Sequence, residues 1–311
     1  MDARRLELLR ELSRRGSVTA VAAAMHITPT AVSQQLHVLE REARATLLRR
    51  VGRGVELTDA GRELASASVA LAAAQEELRA RWDRYRGEVV GTVRLSVFPT
   101  AGQRFVAPLL ERLDEHPGVE LVVSDIDVPS DDYAHYADEF DIVVAHRPLG
   151  DPSPGAGWTV VPLTRERLVV AVAPDHPLSG RRRVRPATVA DETWIGVPEG
   201  WPFDRLLTSW FADAGLEPHV SQRFEDLRMQ EALVAAGRGV ALLPRDSVDD
   251  RDGRRLRLLD TADGTPTRQI EAILRPDRAA RAVVTLVLEQ LRAVAAGEER
   301  APSKVHLPAT R

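Results

Sequence analysis

Residues 28–40 read TPTAVSQQLHVLE, and the two sides of this stretch carry different chemistry. Val32, Leu36 and Leu39 recur at the spacing of one helix face, which suits burial. The other face shows Thr30, Ser33, Gln34 and His37, and meets no charge before Arg41. Solvated helix faces ordinarily carry Glu and Lys, so this face suits a polar, neutral partner. Base edges in the major groove of duplex DNA are such a partner: Gln pairs two-fold with adenine, and Ser or Thr reaches several bases or the thymine methyl. Downstream, Arg49, Arg50 and Arg53 fall within five positions and suit phosphates, contacts that hold register without reading sequence. The plain alternative is a polar helix of a structural bundle followed by a surface hairpin. That alternative gives no reason for the clustering of the three arginines.

A second set of groups falls at the ends of predicted strands much further along. Phe98, Pro99, Thr100 and Ala101 follow one strand, and His146 and Arg147 another. Glu199, Gly200 and Trp201 follow a third, and Phe224 and Glu225 a fourth. Open α/β sheets take ligands beyond the carboxyl ends of their strands, and a helix start after Thr100 offers free N–H groups to an anion. With Arg147 nearby, a carboxylate-bearing metabolite is the expected ligand. Taken singly, each of these residues reads first as part of a solvated loop, and Arg147 as the partner of an acidic neighbour. Catalytic chemistry is not expected. The eight histidines are scattered, and no metal spacing, nucleophile elbow or Gly-rich phosphate loop is present. The nearest cluster, Asp131 and Asp132 with His135, reads as a solvated loop. With no cysteine, disulfides, thiolate metal sites and Cys nucleophiles are excluded, and no cofactor is expected.

The elements that position the first set are short helices. Leu6, Leu9 and Leu12 mark a first helix stopped near Gly16; Ser17 or Thr19 caps a second, Thr19 to Met25, whose alanines allow close approach. After a turn at His26-Ile27, Thr28 caps the third helix, with Pro29 at its first position, where a missing N–H costs nothing. Helix, turn, helix is a DNA-binding pattern whose second helix enters the major groove. The stretch LLRRVGRGVELT signals a basic hairpin, a wing. Thr58 then caps a helix running to about Arg86. Along it Ala60, Leu64, Ala67, Leu71, Ala74, Leu78, Arg81 and Tyr85 alternate spacings of four and three, a heptad seam that one helix cannot bury alone. Dimerisation is the natural reading, with packing on the chain's own domains as the other. Two copies would favour a two-fold symmetric DNA site.

From Gly91 onward strands and helices alternate, which argues an α/β domain with mostly parallel strands. The unit count suggests two lobes, about 91–162 with 267–297, and 163–266. TVVPL and RLVVAVAP read as two strands, and Asp277 to about Ala296 as one helix. Residues 298–311 read as a flexible tail. The expected domains are therefore residues 1–62, a linker helix over 58–88 and a regulatory domain over 90–297.

The 311 residues, 44% apolar and 28% charged, fit a soluble multidomain protein. The net charge of −4 hides an asymmetry: residues 1–62 carry +4 and the remainder −8, which directs an anionic partner to the first part alone. The charged, amphipathic start is no signal peptide, and the longest charge-free run, 16–39, is broken by Pro29 and polar residues, so no membrane span is expected. A cytoplasmic location follows.

GSVTAVAAAMHITPTAVSQQLHVLE and RGVELTDAG, with the later VAAGRGVALLP, together resemble the LysR-type transcriptional regulators, from about Leu6 to Ala296. The resemblance implies a winged helix-turn-helix, a dimerising linker helix and a two-lobed α/β effector domain like type 2 periplasmic binding proteins. It implies a homodimer, usually assembled into a tetramer, that binds double-stranded DNA and a small-molecule effector, with RNA polymerase a candidate further partner. By that likeness Thr28, Pro29, Thr30, Ser33 and Gln34 fall on DNA-reading positions and Arg53 on the wing. Thr100 falls on an effector-contacting turn, and Arg147, Val197 to Trp201 and Glu225 near the same cleft. The family often has Ser-Gln-Pro where this chain has Thr28-Pro29-Thr30, Arg in place of Gln34, and Gly near Arg44. Those departures bear on base preference and on where the third helix ends. The competing reading is an effector-blind DNA-binding protein whose second half serves oligomerisation only.

Overall fold

A computed structural model describes residues 1–52, 54–87, 89–155 and 157–298. The chain divides into two compact units, residues 1–89 with 275–285, and 90–274 with 286–311. Arg53 and residues 299–311, where the sequence suggests a wing contact and a tail, lie outside the described residues.

The first unit begins with α1 (Ala3–Arg15), α2 (Val18–Ala24) and α3 (Pro29–Ala43). Leu6, Leu9 and Leu12 pack on Val21, Val32, Leu36 and Leu39 in one core, with Ile27 partly buried against it. Ser17 caps α2 and Thr28 caps α3, its hydroxyl accepting the Ala31 N–H at 3.2 Å. The third helix stops without a glycine: Arg44 itself takes the left-handed conformation, φ 52°, one that L-residues adopt at a cost. The Glu40 carboxylate then accepts the N–H groups of Leu47 and Leu48 at 2.9 and 3.1 Å. It thereby ties α3 to the antiparallel hairpin of β1 (Leu48–Val51) and β2 (Gly54–Leu57).

Thr58 caps the long helix α4 (Asp59–Arg86), accepting the Gly61 N–H at 3.1 Å. One side of α4 is buried through small residues, Gly61, Ala65, Ser68, Ala72 and Ala80. The heptad seam lies elsewhere: Leu71, Leu78 and Tyr85 are 46%, 70% and 82% exposed, and Trp82, stacked on Tyr85, is 58% exposed. Residues 275–285 close this unit, with the buried Arg275 paired to Glu11 at 3.1 Å and to Asp277 at 2.8 Å.

The second unit runs β3 (Gly91–Val97), α5 (Pro99–Leu113), β4 (Val119–Asp125), α6 (Tyr133–Tyr136), β5 (Ile142–Pro148) and β6 (Thr159–Val172). It continues with β7 (Arg183–Val184), β8 (Thr193–Gly196), α7 (Pro202–Ala212), β9 (His219–Arg223), α8 (Leu227–Ala235), β10 (Ala241–Pro244), β11 (Arg257–Thr261) and β12 (Thr267–Leu274). The chain then forms α9 (Pro276–Ala279) and α10 (Ala282–Ala295). The main sheet has the order β4-β3-β5-β12-β6-β11-β7, with β10 also on β6, and β8 and β9 pair separately.

Three sequence expectations change here. TVVPL and RLVVAVAP are one 14-residue strand, β6. Its first part pairs with β12, and Leu168–Val172 pair with β10 and β11, so a single strand passes from one lobe to the other. The strands are not mostly parallel, because β12 and β10 run antiparallel to their neighbours, as does β11 to β6. The helix expected from Asp277 onward is broken at residues 280–281, where the Thr285 hydroxyl donates to the freed Ala279 carbonyl at 3.1 Å. Among the described residues no helix is long and apolar enough to cross a membrane.

Gly61 marks the tightest joint of the first unit. A Cβ there would sit 2.2 Å from the Leu47 carbonyl oxygen and 3.2 Å from the Leu57 Cβ. Gly61→Ala should therefore force α4 off the hairpin and destabilise that unit by about 1–3 kcal/mol, the usual cost of overpacking. Urea denaturation read by circular dichroism checks this; an unchanged midpoint would contradict it.

Candidate functional site

Two surfaces collect the residues singled out from the sequence. On α3, Thr30, Gln34 and His37 are exposed and Ser33 is half-buried, opposite the buried Val32, Leu36 and Leu39. Thr28 and Pro29 stand at the helix start, with the Thr28 hydroxyl occupied by its cap bond. The two adjacent glutamines differ: the Gln35 side-chain oxygen accepts from Arg5 Nε at 2.9 Å, whereas Gln34 faces solvent. His37 Nδ1 lies 2.9 Å from Glu40, so one edge of its ring is already engaged. Burial works to raise the Glu40 carboxyl, but the hydrogen bonds from His37, Leu47 and Leu48 outweigh it and hold that carboxyl below its ordinary range. Arg49 and Arg50 are exposed on the hairpin, Arg49 paired with Glu56 at 2.9 Å.

The second surface is a cavity of about 320 Å³ between the lobes of the second unit. Phe98, Pro99, Thr100, His146, Trp201 and Glu225 line it, as the strand-end pattern suggests, and so does Val197, which the family resemblance implies. Five expected residues do not. Ala101 is buried one step along α5, while Glu199 points to solvent near Arg223, 3.6 Å away. Gly200 donates its N–H to Asp204, and Phe224 packs in the lobe core. Arg147 is turned away, bound to both oxygens of the buried Glu271 at 3.1 Å. It lines a separate cavity of about 400 Å³, where Arg205 also pairs with Asp151 at 2.6 Å. The cation on which the expectation of a carboxylate ligand leans is thus already neutralised elsewhere.

The cavity has its own cation, Arg268, which the sequence reading did not single out. It is 1% exposed. Its Nε donates to Glu166 Oε2 at 2.7 Å; its Nη2 donates to the same oxygen, and also to Thr100 Oγ1 at 2.9 Å. Its guanidinium lies 4.7 Å from the Phe98 ring centre and 4.9 Å from that of Phe203. Beside it, Tyr133 donates to Asp127 at 2.7 Å, and His146 Nε2 stands 3.5 Å from the same carboxylate oxygen. Burial pushes the His146 imidazolium down and the Tyr133 phenol well up, so both are neutral near pH 7. Burial works against ionisation of Asp127 as well, but its bonds from His146 and Tyr133 and the field of Arg268 hold its carboxyl below the usual range. Asp127 and Tyr133 lie on the loop and short helix after β4, where no sequence motif marks them. Among the described residues no group of three or more His, Asp and Glu is placed to hold a metal ion.

Glu166 and Arg268 face each other across β6 and β12. Removing one member of a buried pair leaves the other charge uncompensated. Glu166→Gln should therefore destabilise the second unit by about 3–5 kcal/mol, and Glu166→Gln with Arg268→Met should recover much of that loss. Chemical denaturation of the three proteins tests this; equal losses in the single and double variants would contradict it.

Comparison with known proteins bears on both surfaces. Residues 3–62 match the family described as bacterial regulatory helix-turn-helix protein, lysR family, and residues 86–296 match the LysR substrate binding domain. The chain is 28% identical over 269 residues to a RuBisCO operon transcriptional regulator of Allochromatium vinosum, spanning 86% of this chain and 87% of that one. Its fold is similar to that of a full-length OxyR variant from Pseudomonas aeruginosa, with a TM-score of 0.67, 18% identity and 95% and 94% of the two chains covered. The effector binding domain of QuiR in complex with shikimate is similar over 68% of this chain and 100% of that one, with a TM-score of 0.57 and 17% identity.

Proposed function

The chain belongs to the LysR family of transcriptional regulators, and we propose on that premise how its two surfaces divide the work. It is a sequence-specific DNA-binding regulator whose two-lobed domain binds a small-molecule effector. We assign base reading to the face of α3 with Thr30, Ser33, Gln34 and His37, and positioning at its start to Thr28 and Pro29. Arg49 and Arg50 of the hairpin, together with Arg53, take the phosphates. The observation that carries the reading is the neutral polar face of α3, held outward by a core that engages only the opposite side. Gln34 rather than Gln35 is the principal reader, because Gln35 is tied to Arg5.

We assign dimerisation to the exposed seam of α4. A row of Ala, Leu and Tyr open to water along one helix is supported as an interface by its heptad spacing. A dimer then offers two α3 faces to half-sites one helical turn apart, and a pair of dimers gives the tetramer. The effector cavity includes Thr100, His146, Val197, Trp201, Glu225 and Arg268. A ligand there acts by binding one relative setting of the lobes more tightly than another, since equal affinity for both would shift nothing. RNA polymerase is the partner through which an activator would act, the cytoplasm is the expected compartment, and no catalytic role is assigned.

Footprinting on the cognate operator tests the first assignment. Ser33→Ala with Gln34→Ala should weaken specific binding by about tenfold or more, since each good base contact is worth about 1–3 kcal/mol, while salt-dependent non-specific binding persists. Unchanged footprints would reject this face. Leu71→Arg with Leu78→Arg should shift the sedimenting species toward monomer and weaken operator binding in step. An unaltered mass would remove the seam from the interface.

A further inference from the structure

The cavity between the lobes holds more negative than positive charge, and we infer that its ligand carries a positively charged nitrogen, an ammonium or amidinium group. This rests on the reading of that cavity as the effector site. Two arginines, Arg228 and Arg268, share its lining with five carboxylates, Asp125, Asp127, Glu225, Asp226 and Glu231. Both arginines are already balanced: Arg268 by Glu166 behind it, and Arg228 by Asp226 at 3.2 Å. Glu231 is matched by Arg255 at 2.6 Å. What remains is Asp125, Asp127 and Glu225, none of which meets an arginine or lysine within ion-pair distance among the described residues. The histidine beside Asp127 does not alter the balance, because a buried, neutral imidazole adds no charge.

Two further features fit a ligand that donates hydrogen bonds. His146, part of the cavity wall, is 5% exposed, and its Nδ1 is buried with no partner. His146 lines both this cavity and the one beside Arg147; with Nε2–H directed at Asp127, its Nδ1 is the lone-pair side of a neutral imidazole, which accepts an N–H and offers nothing to a carboxylate oxygen. The apolar part of the lining includes three aromatic rings, Phe98, Trp201 and Phe203. Phe98 and Phe203 already flank one cation, the Arg268 guanidinium, and the half-buried Trp201 leaves a ring for a second. A volume of about 320 Å³ is at the small end of ligand pockets, and suits a compact amine.

Thermal-shift titration of the full-length protein at low and moderate salt tests the inference with three matched series. These are the cations putrescine, agmatine, choline and phenethylamine, the acids succinate, glutarate and 3-phenylpropionate, and the corresponding alcohols. A cation should give saturable stabilisation that weakens with salt. Its dissociation constant should rise at least about tenfold in Asp125→Asn with Glu225→Gln, exposed sites whose change leaves the fold intact. Saturable binding of acids in place of cations would overturn the charge assignment while the effector reading stands. Cation binding indifferent to Asp125→Asn with Glu225→Gln would place the ligand elsewhere and overturn it as well. Stabilisation by no series would overturn the effector reading, and this inference with it.

Discussion

The second unit depends on one buried ion pair. Glu166 and Arg268 sit opposite each other on β6 and β12, next to the point where β6 leaves β12 for β10 and β11. Two desolvated charges are costly unless they meet in good geometry with further partners. Here the partners are Thr100 from one lobe and the rings of Phe98 and Phe203, one from each lobe. The pair therefore fixes the register of the two strands, supplies the floor of the cavity and binds the starts of α5 and α7 to that floor. A change in the lobe angle must pass through this joint, because the strands it pins are those that run between the lobes.

The same pair explains the character of the cavity. With Arg268 neutralised from behind, the carboxylates around the rim set the local charge. Arg147, the cation most visible in the sequence, is likewise neutralised by Glu271 in a different cavity. In both cases burial forced a partner on the arginine, and the partner removed it from any role as a free anion receptor. On α3 the opposite holds. Thr30 and Gln34 of the reading face carry no charge to balance and stay exposed, whereas Thr28 is tied down by its cap, Gln35 by Arg5 and one edge of His37 by Glu40.

Several features were legible from the residues alone because their causes are local. A cap and a proline at the first position set the start of α3, and a Thr cap set the start of α4. The heptad seam predicted a face left open in the single chain, and the strand-end pattern named six residues that line the cavity. The boundary of β6 was not legible. Its middle, TRER, is polar and looks like a loop, but those residues are matched across the sheet by Gln269 and Arg268, which are distant in the chain.

Sequence by itself determined the short helices of the first unit and the caps at Thr28 and Thr58, the apolar face beneath the recognition surface and the alternation of elements in the second. Each follows from side-chain periodicity and backbone preference within a few residues. Tertiary structure alone decided which of the buried sheet arginines are free. The two buried arginines of the second unit's sheet, Arg268 and Arg147, are balanced by Glu166 and Glu271, each more than 100 positions away. Periodicity along a chain carries no record of such encounters, because they are made only when strands from opposite ends of the domain are laid side by side.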